Sequence, residues 1–327
     1  MTNPQPSSSS ITDRPDLLDS GAVSDWLRDR YMRNPRDADF EDLSREVLRT
    51  GPDGAITADP LRFGLVGETR GLLVTAESGA GKTTLIRRNL TRQPQIGVTD
   101  GKTPGRAFYI RVKPEATLKG LATKIAEDLG YPPISSGART TEVWEAALNR
   151  LKLRGITIIW IDEAHHMLQP SREVKAVLRR FKALMQDEPN FVLILSGVPD
   201  LEHLIRQDEE TDGRLFRMRL SPIRTETERS SIRQYISRCC ELVELEPPSD
   251  PYMVQRLEAA TRGSFGRSLE LTQFAITRAL RRRDGLLRLD DFRRSYDWKR
   301  RTDGDGPFDE EDWPTLKQIL ETQGWSP

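Results

Sequence analysis

The chain has 327 residues, 36% apolar and 31% charged, with 50 basic against 50 acidic side chains. That length allows a main domain of ordinary size plus a smaller one, and the composition suits a globular protein with a highly charged surface. A formal net charge of zero excludes a wholly basic nucleic-acid binder but not a local basic face.

Residues 1–20 are polar and rich in Pro and Ser, without the apolar stretch of a secretory signal, and read as a disordered tail. No run of 18 or more apolar residues occurs, so no membrane span and a cytoplasmic location are expected. Residues 21–50 read as an N-terminal helical segment of one or two amphipathic helices, anchored by Trp26, Tyr31, Phe40, Leu43 and Val47, and Gly51–Asp59 as loop. Five short apolar runs come next: Gly71–Thr75, Ala107–Val112, Ile156–Ile161, Phe191–Leu195 and Phe216–Leu220. Their alternation with helical segments predicts an α/β core over residues 51–224 with a five-stranded parallel sheet.

After Pro222 the strands stop. Thr225 and Glu228 spell a capping box, Asp250-Pro251 opens a second helix, Arg267–Arg283 forms a third, and a fourth starts at Leu289. Residues 225–298 are therefore expected to form a small all-helical domain. Adjacent Cys239 and Cys240 read as buried reduced thiols. From Arg278 to Arg301 ten basic residues face four acidic ones, whereas residues 299–327 form an acidic tail containing Phe308, Trp313 and Trp325. Two readings of that tail stand open: a peptide that folds on a partner, or one that docks on its own basic helices.

The first strand runs into Ala76-Glu77-Ser78-Gly79-Ala80-Gly81-Lys82-Thr83, a Walker A pattern with Ala at the first Gly position. Glycines at 79 and 81 let the backbone curl so that N–H groups face a phosphate, and the helix after them adds the positive end of its dipole. Ser78, Gly79, Ala80, Gly81, Lys82, Thr83 and Thr84 are the expected phosphate contacts, with Lys82 on the outer phosphates and the Thr83 hydroxyl on Mg²⁺. The third strand ends in Asp162-Glu163, a Walker B pair. Asp162 is expected to hold Mg²⁺, and Glu163 to orient and deprotonate an attacking water. Asp162–His165 also spells the DEAH box of certain helicases, but those need two P-loop-like domains and this chain turns helical after Pro222. Cys and His are too few for a zinc site, and His165 and His166, without metal partners in the sequence, read as local hydrogen-bonding residues, with a regulatory role as the alternative.

Ser196, ending the fourth strand, lies beside the Walker B strand if the order is 5-1-4-3-2, within reach of the outermost phosphate or the water. A plain strand-ending Ser is the alternative. Arg214, just before the fifth strand, is placed to project from the domain edge toward a neighbouring subunit's nucleotide, with Arg217 as fallback. Arg267, opening the third helix of the smaller domain, is a candidate to fold back onto the phosphates.

Taken together these features resemble an AAA+ ATPase over roughly residues 50 to 297. Narrower motifs are similar to the TniB/TnsC/MuB group of transposition ATPases: Trp26–Tyr31, the segment Val112–Leu121, Ser196-Gly197-Val198-Pro199 and Gly263-Ser264-Phe265-Gly266-Arg267. Arg214-Leu215 stands where that group usually has Arg-Phe. The resemblance implies ATP as the nucleotide, with hydrolysis to ADP and phosphate. It also implies a homo-oligomeric ring or filament on double-stranded DNA, with a transposase and a target-selection protein as partners. Residues after the second strand track the DNA backbone in such proteins, which points to Lys113, Thr117 and Lys119. Those types suit phosphate contacts without sequence readout, although Thr117 equally suits a helix cap.

Two other classes remain. One is an AAA+ ATPase that remodels a protein partner, in secretion or signalling, without touching DNA. The other is a replication initiator or loader, which would carry a further DNA-reading domain that the residues after the helices leave little room for.

Overall fold

The computed structural model describes residues 14–114, 116–168, 174–300 and 306–322. Residues 1–13 of the expected N-terminal tail, Glu115 and Trp325 lie outside them. The chain divides into two compact units. One is Pro35–Leu220; in the other, the N-terminal residues up to Asn34 join those from Ser221 onward.

Helix α1 (Ser20–Arg28) starts at Asp19, whose carboxylate accepts from the N–H groups of Gly21 and Ala22. Helix α2 (Pro35–Arg45) comes after a break. The N-terminal helical stretch is thus two helices, and they fall in different units. Gly51–Asp59, by contrast, is not a plain loop. Strands β1 (Leu48–Thr50) and β2 (Ile56–Pro60) pair antiparallel. Gly51 N–H donates to Ala55 O at 2.8 Å to close the turn, while Ile56 and Ala58, two residues apart, bury into the core. The polar turn residues conceal a strand whose buried side chains reach a core supplied largely from distant parts of the chain.

The main sheet contains β3 (Gly71–Thr75), β4 (Val98–Thr99), β5 (Ala107–Arg111), β6 (Ile158–Asp162), β7 (Val192–Gly197) and β8 (Leu215–Arg219), each pairing parallel with its neighbours. The order β4-β5-β6-β7-β3-β8 contains the expected 5-1-4-3-2 arrangement and adds a sixth strand at the edge. Sequence reading misses β4 because two residues between Gly97 and Asp100 make no apolar run. The intervening helices are α3 (Lys82–Arg92), α4 (Leu118–Asp128), α5 (Thr140–Leu153), α6 (Val174–Gln186), α7 (Asp200–Ile205) and α8 (Glu209–Asp212).

Every residue of β3, β6 and β7 is buried, because helices cover both faces of the sheet. Alternate residues divide between two cores. Leu73, Ile159, Ile161, Leu193 and Leu195 pack with α4, α5 and α6. Leu72, Val74, Ile158, Trp160, Val192 and Ile194 pack with α3 and the β1–β2 ribbon. Each such aliphatic side chain contributes about 1.5–3 kcal/mol by leaving water. The register pairs Ser196 with Val74 on one side and with Asp162 on the other, so three strand ends meet at one edge of the sheet.

The second unit is helical: α9 (Glu226–Leu242), α10 (Met253–Thr261), α11 (Phe265–Arg282), α12 (Leu289–Arg300) and α13 (Trp313–Thr322). The capping box is formed, with Thr225 Oγ1 accepting from Glu228 N–H and Glu228 accepting from Thr225 N–H. Val23 and Leu27 of α1 join Ile236, Leu257, Ile276 and Phe292 in its core. Cys239 and Cys240 are buried and unpaired; burial pushes their thiols up to about 11 and about 12, so they stay protonated and inert.

The C-terminal segment docks on this same unit. Phe308 lies 5.7 Å from Phe292 and 5.9 Å from Tyr296 between ring centroids. Buried Arg256 donates to the carbonyls of Pro307 and Asp309 at 2.8 and 3.1 Å and sits 4.6 Å over the Trp313 ring. Within the basic run, Arg293 also feels the charge of Asp309. Arg282 pairs with Asp284 and Asp291, Arg293 and Arg294 with Asp290, and Lys299 with Glu270, so much of that charge is neutralised locally.

Candidate nucleotide-binding site

The loop after β3 takes the conformation its glycines permit. Gly79 and Gly81 have φ of 81° and 95°, in the left-handed region open mainly to glycine, and Gly81 is the N-cap of α3. An α-helix leaves its first N–H groups without intrahelical acceptors, and α3 presents them beside this curl. The Lys82 side chain, on a residue 5% exposed, folds back to donate to the carbonyls of Ala76 at 2.8 Å and Glu77 at 3.3 Å. Burial lowers its pKa, and the carboxylates of Glu163, Asp162 and Glu77 act against that shift. Gly-lined cradle, helix N-terminus and lysine together fit the phosphates of a nucleotide.

Asp162 closes the site from β6. Its carboxylate is almost fully buried, and four donors compensate. Thr83 Oγ1 donates to Oδ2 at 2.8 Å, and Tyr109 OH approaches the same oxygen at 3.4 Å. Ser196 Oγ donates to Oδ1 at 2.6 Å, and Glu163 N–H does so at 3.1 Å. Burying a carboxylate is costly unless such partners satisfy its oxygens. Thr83 and Asp162, 79 residues apart in sequence, bring two hard oxygens together, a donor set suited to Mg²⁺.

Ser196 is fully buried and also accepts from Trp160 Nε1–H at 2.9 Å. Its hydroxyl is thus engaged with both Asp162 and Trp160. Glu163 comes directly after Asp162 with φ 55°, an uncommon conformation for a residue other than glycine. That turn starts the 3-10 helix Ala164–Met167 and leaves its side chain partly exposed, with Oε2 3.3 Å from His165 Nδ1. Burial, and after it His166, lowers the His165 pKa, while Glu163 opposes the shift; its imidazole is neutral at pH 7.

Arg214 does not project freely. It is 19% exposed at the side chain, lies 3.1 Å from Glu68 Oε2, and donates to Glu210 O. Glu68, in the turn before β3, provides the counter-charge that sequence reading did not assign. Arg217 pairs with Asp212 and Glu202. Half-buried Arg267 lies in the first turn of α11, in the other compact unit. Among the expected DNA contacts, Lys113 is exposed, Thr117 caps α4 by accepting from Gly120 N–H at 3.0 Å, and Lys119 donates to Ser136 O at 2.6 Å.

Tyr109, Trp160 and Arg87 were not singled out from the sequence. Tyr109 and Trp160 are register partners on β5 and β6, with rings 4.5 Å apart, and the Arg87 guanidinium sits 4.5 Å over Tyr109. Burial, reinforced by Asp162, raises the Tyr109 pKa, which keeps its phenol a donor. The signal was the register position, readable only once β5 and β6 are known to pair.

Residues 67–205 match a family model described as AAA domain. No curated protein matches the chain in sequence. Among solved structures, the ORC1 protein of Aeropyrum pernix in complex with DNA is 21% identical, with a TM-score of 0.60, over 87% of this chain and 69% of that one. Cdc6p from Pyrobaculum aerophilum is 17% identical, with a TM-score of 0.58, over 83% and 70%. The ORC2 protein of Aeropyrum pernix, in ADPNP-ADP complexes, is 17% identical, with a TM-score of 0.55, over 82% and 70%. At these identities the likeness is one of fold. No helix among the described residues is long and apolar enough to cross a membrane. The chain therefore carries the α/β P-loop AAA+ fold, with a six-stranded parallel sheet among the described residues, a match to the AAA domain model at residues 67–205 and a helical C-terminal region.

Proposed function

We propose that this protein is a Mg²⁺-dependent ATPase that assembles on duplex DNA and, in its ATP-bound state, recruits and stimulates a transposase. The observation that carries the nucleotide half is the contact of Thr83 with Asp162 at 2.8 Å, beside Lys82 and the left-handed loop glycines. Thr83 and Asp162 would hold Mg²⁺, which when bound neutralises phosphate charge. Lys82 secures the loop and neutralises the outer phosphates. Ser196 fixes the Asp162 carboxylate through its 2.6 Å hydrogen bond. Glu163, partly exposed at the rim, accepts the proton of the attacking water. In an assembly, Arg214 would exchange Glu68 for a neighbour's phosphate, an arrangement worth roughly 10³–10⁵ in rate in other systems.

The DNA half rests on the resemblance to transposition ATPases and on exposed Lys113 beside the N-terminus of α4. A fold neighbour described in complex with DNA is consistent with it. Sequence-independent backbone binding predicts an affinity that falls steeply with salt.

Sedimentation and negative-stain imaging with duplex DNA, with and without ATP or a non-hydrolysable analogue, test this reading. ATP-dependent assemblies that dissolve as salt rises are expected. Glu163→Gln should bind ATP, lose turnover by about 10²–10⁴-fold and trap the assembly. ATP binding without DNA association would sink the DNA half and favour remodelling of a protein partner. Turnover by Glu163→Gln at the parent rate would remove Glu163 as the base.

A further inference from the structure

Beside the proposed catalytic carboxylates lies a second donor set. The left-handed turn at Glu163 runs straight into the 3-10 helix Ala164–Met167, and this tight winding gathers residues 163, 165 and 166 on one rim. One carboxylate oxygen of Glu163 and one ring nitrogen from each of His165 and His166 lie within 4.8 Å of one another. Glu163 Oε2 and His165 Nδ1 are 3.3 Å apart, and the two imidazole centroids are 4.1 Å apart, tilted by 43°.

His165 is 6% exposed, and its buried Nδ1 makes no hydrogen bond despite the nearby carboxylate. Polar atoms buried this deeply nearly always have a partner. The room for this ring comes from Gly197, where a Cβ would stand 3.0 Å from the same Nδ1. An ion held tetrahedrally at about 2.1 Å keeps its ligand atoms about 3.4 Å apart. One edge of that figure is already in place, and rotation of half-buried His166 and partly exposed Glu163 supplies the rest. Two imidazoles and one carboxylate with an open fourth position suit zinc-class cations, whereas Mg²⁺ demands octahedral oxygen ligands.

We propose that Glu163, His165 and His166 form a binding site for a zinc-class divalent cation, and that its occupancy withholds the Glu163 carboxylate from water activation and so brakes turnover. The site stands on the geometry; the brake rests on the proposed function.

The test uses the full chain with Mg²⁺ in large excess. Co²⁺ serves as the optical probe, and Zn²⁺ binding is measured by calorimetry. One equivalent per chain is expected, with Co²⁺ absorption in the visible range of low-coordinate nitrogen and oxygen ligation. His166→Ala should lower affinity at least about tenfold, keep zinc-free turnover at the parent rate and raise the zinc concentration that slows turnover by the same factor. Glu163→Gln should likewise weaken Co²⁺ binding, a readout independent of activity. Zinc binding unchanged in both variants overturns the site. Zinc bound here without any fall in turnover overturns the brake. Co²⁺ binding at these residues in a protein without ATPase activity supports the site, overturns the brake and separates the two failures.

Discussion

Ser196→Ala is the most direct probe of how this fold holds its buried carboxylate. The Ser196 hydroxyl is fully buried and bridges Trp160 Nε1 at 2.9 Å and Asp162 Oδ1 at 2.6 Å. Without it, the indole N–H of a fully buried Trp160 is left without an acceptor, at about 1–3 kcal/mol. Asp162 loses a hydrogen bond to a charged group, worth about 1.5–3 kcal/mol, though Oδ1 keeps the Glu163 N–H at 3.1 Å. The two losses share one atom and are not additive, so the expected destabilisation is about 2–4 kcal/mol. For a unit of this size class each kcal/mol lowers Tm by about 2–4 °C. Urea unfolding monitored by tryptophan fluorescence should show a lower midpoint at unchanged slope, the signature of altered stability alone. A loss below about 0.5 kcal/mol, the level of an ordinary surface change, would refute the bridge.

Buried charges give two further expectations. Arg256→Ala removes the guanidinium that holds the Pro307 and Asp309 carbonyls, faces Asp250 at 2.8 Å and covers Trp313. It should release the C-terminal segment, seen as faster amide exchange and proteolysis around Trp313, with a stability loss of about 3–5 kcal/mol; unchanged exchange there would show that the segment is held by its apolar anchors alone. Glu202 is 3% exposed, and its carboxylate is held below its ordinary value of 4.5, chiefly by a hydrogen bond from Arg219, with Arg206 and Arg217 adding to it. A depressed acid contributes stability that is fully present above the unfolded value and is lost as pH falls through the folded one. Unfolding free energy should therefore decline as pH drops below 4.5, and Glu202→Gln should flatten that decline; an identical acid slope in the variant would refute the assignment.

What the sequence by itself determined is local. Glycines at 79 and 81 can adopt φ of 81° and 95° without a steric penalty, so the loop was legible from a short motif. The Thr225–Glu228 capping box satisfies its own orphan N–H groups and needs no other part of the chain. Strands β3, β6 and β7 were legible as apolar runs because helices cover both faces of the sheet, leaving no polar alternation to read. What only the tertiary structure decided depends on partners far apart in sequence. Ser196 turns toward Asp162 because the register sets them side by side. Arg214 is held by Glu68, 146 residues away. The Ile56–Pro60 strand exists because Ile56 and Ala58 find a core that the sequence supplies at Leu72, Val74 and Trp160. The acidic tail docks through Phe308 and the Arg256 contacts to its backbone, while several charges of the basic run are met by Asp and Glu close by in sequence. Hydrogen-bond direction, register and charge pairing are short-range in space but long-range along the chain, and a local pattern cannot carry them.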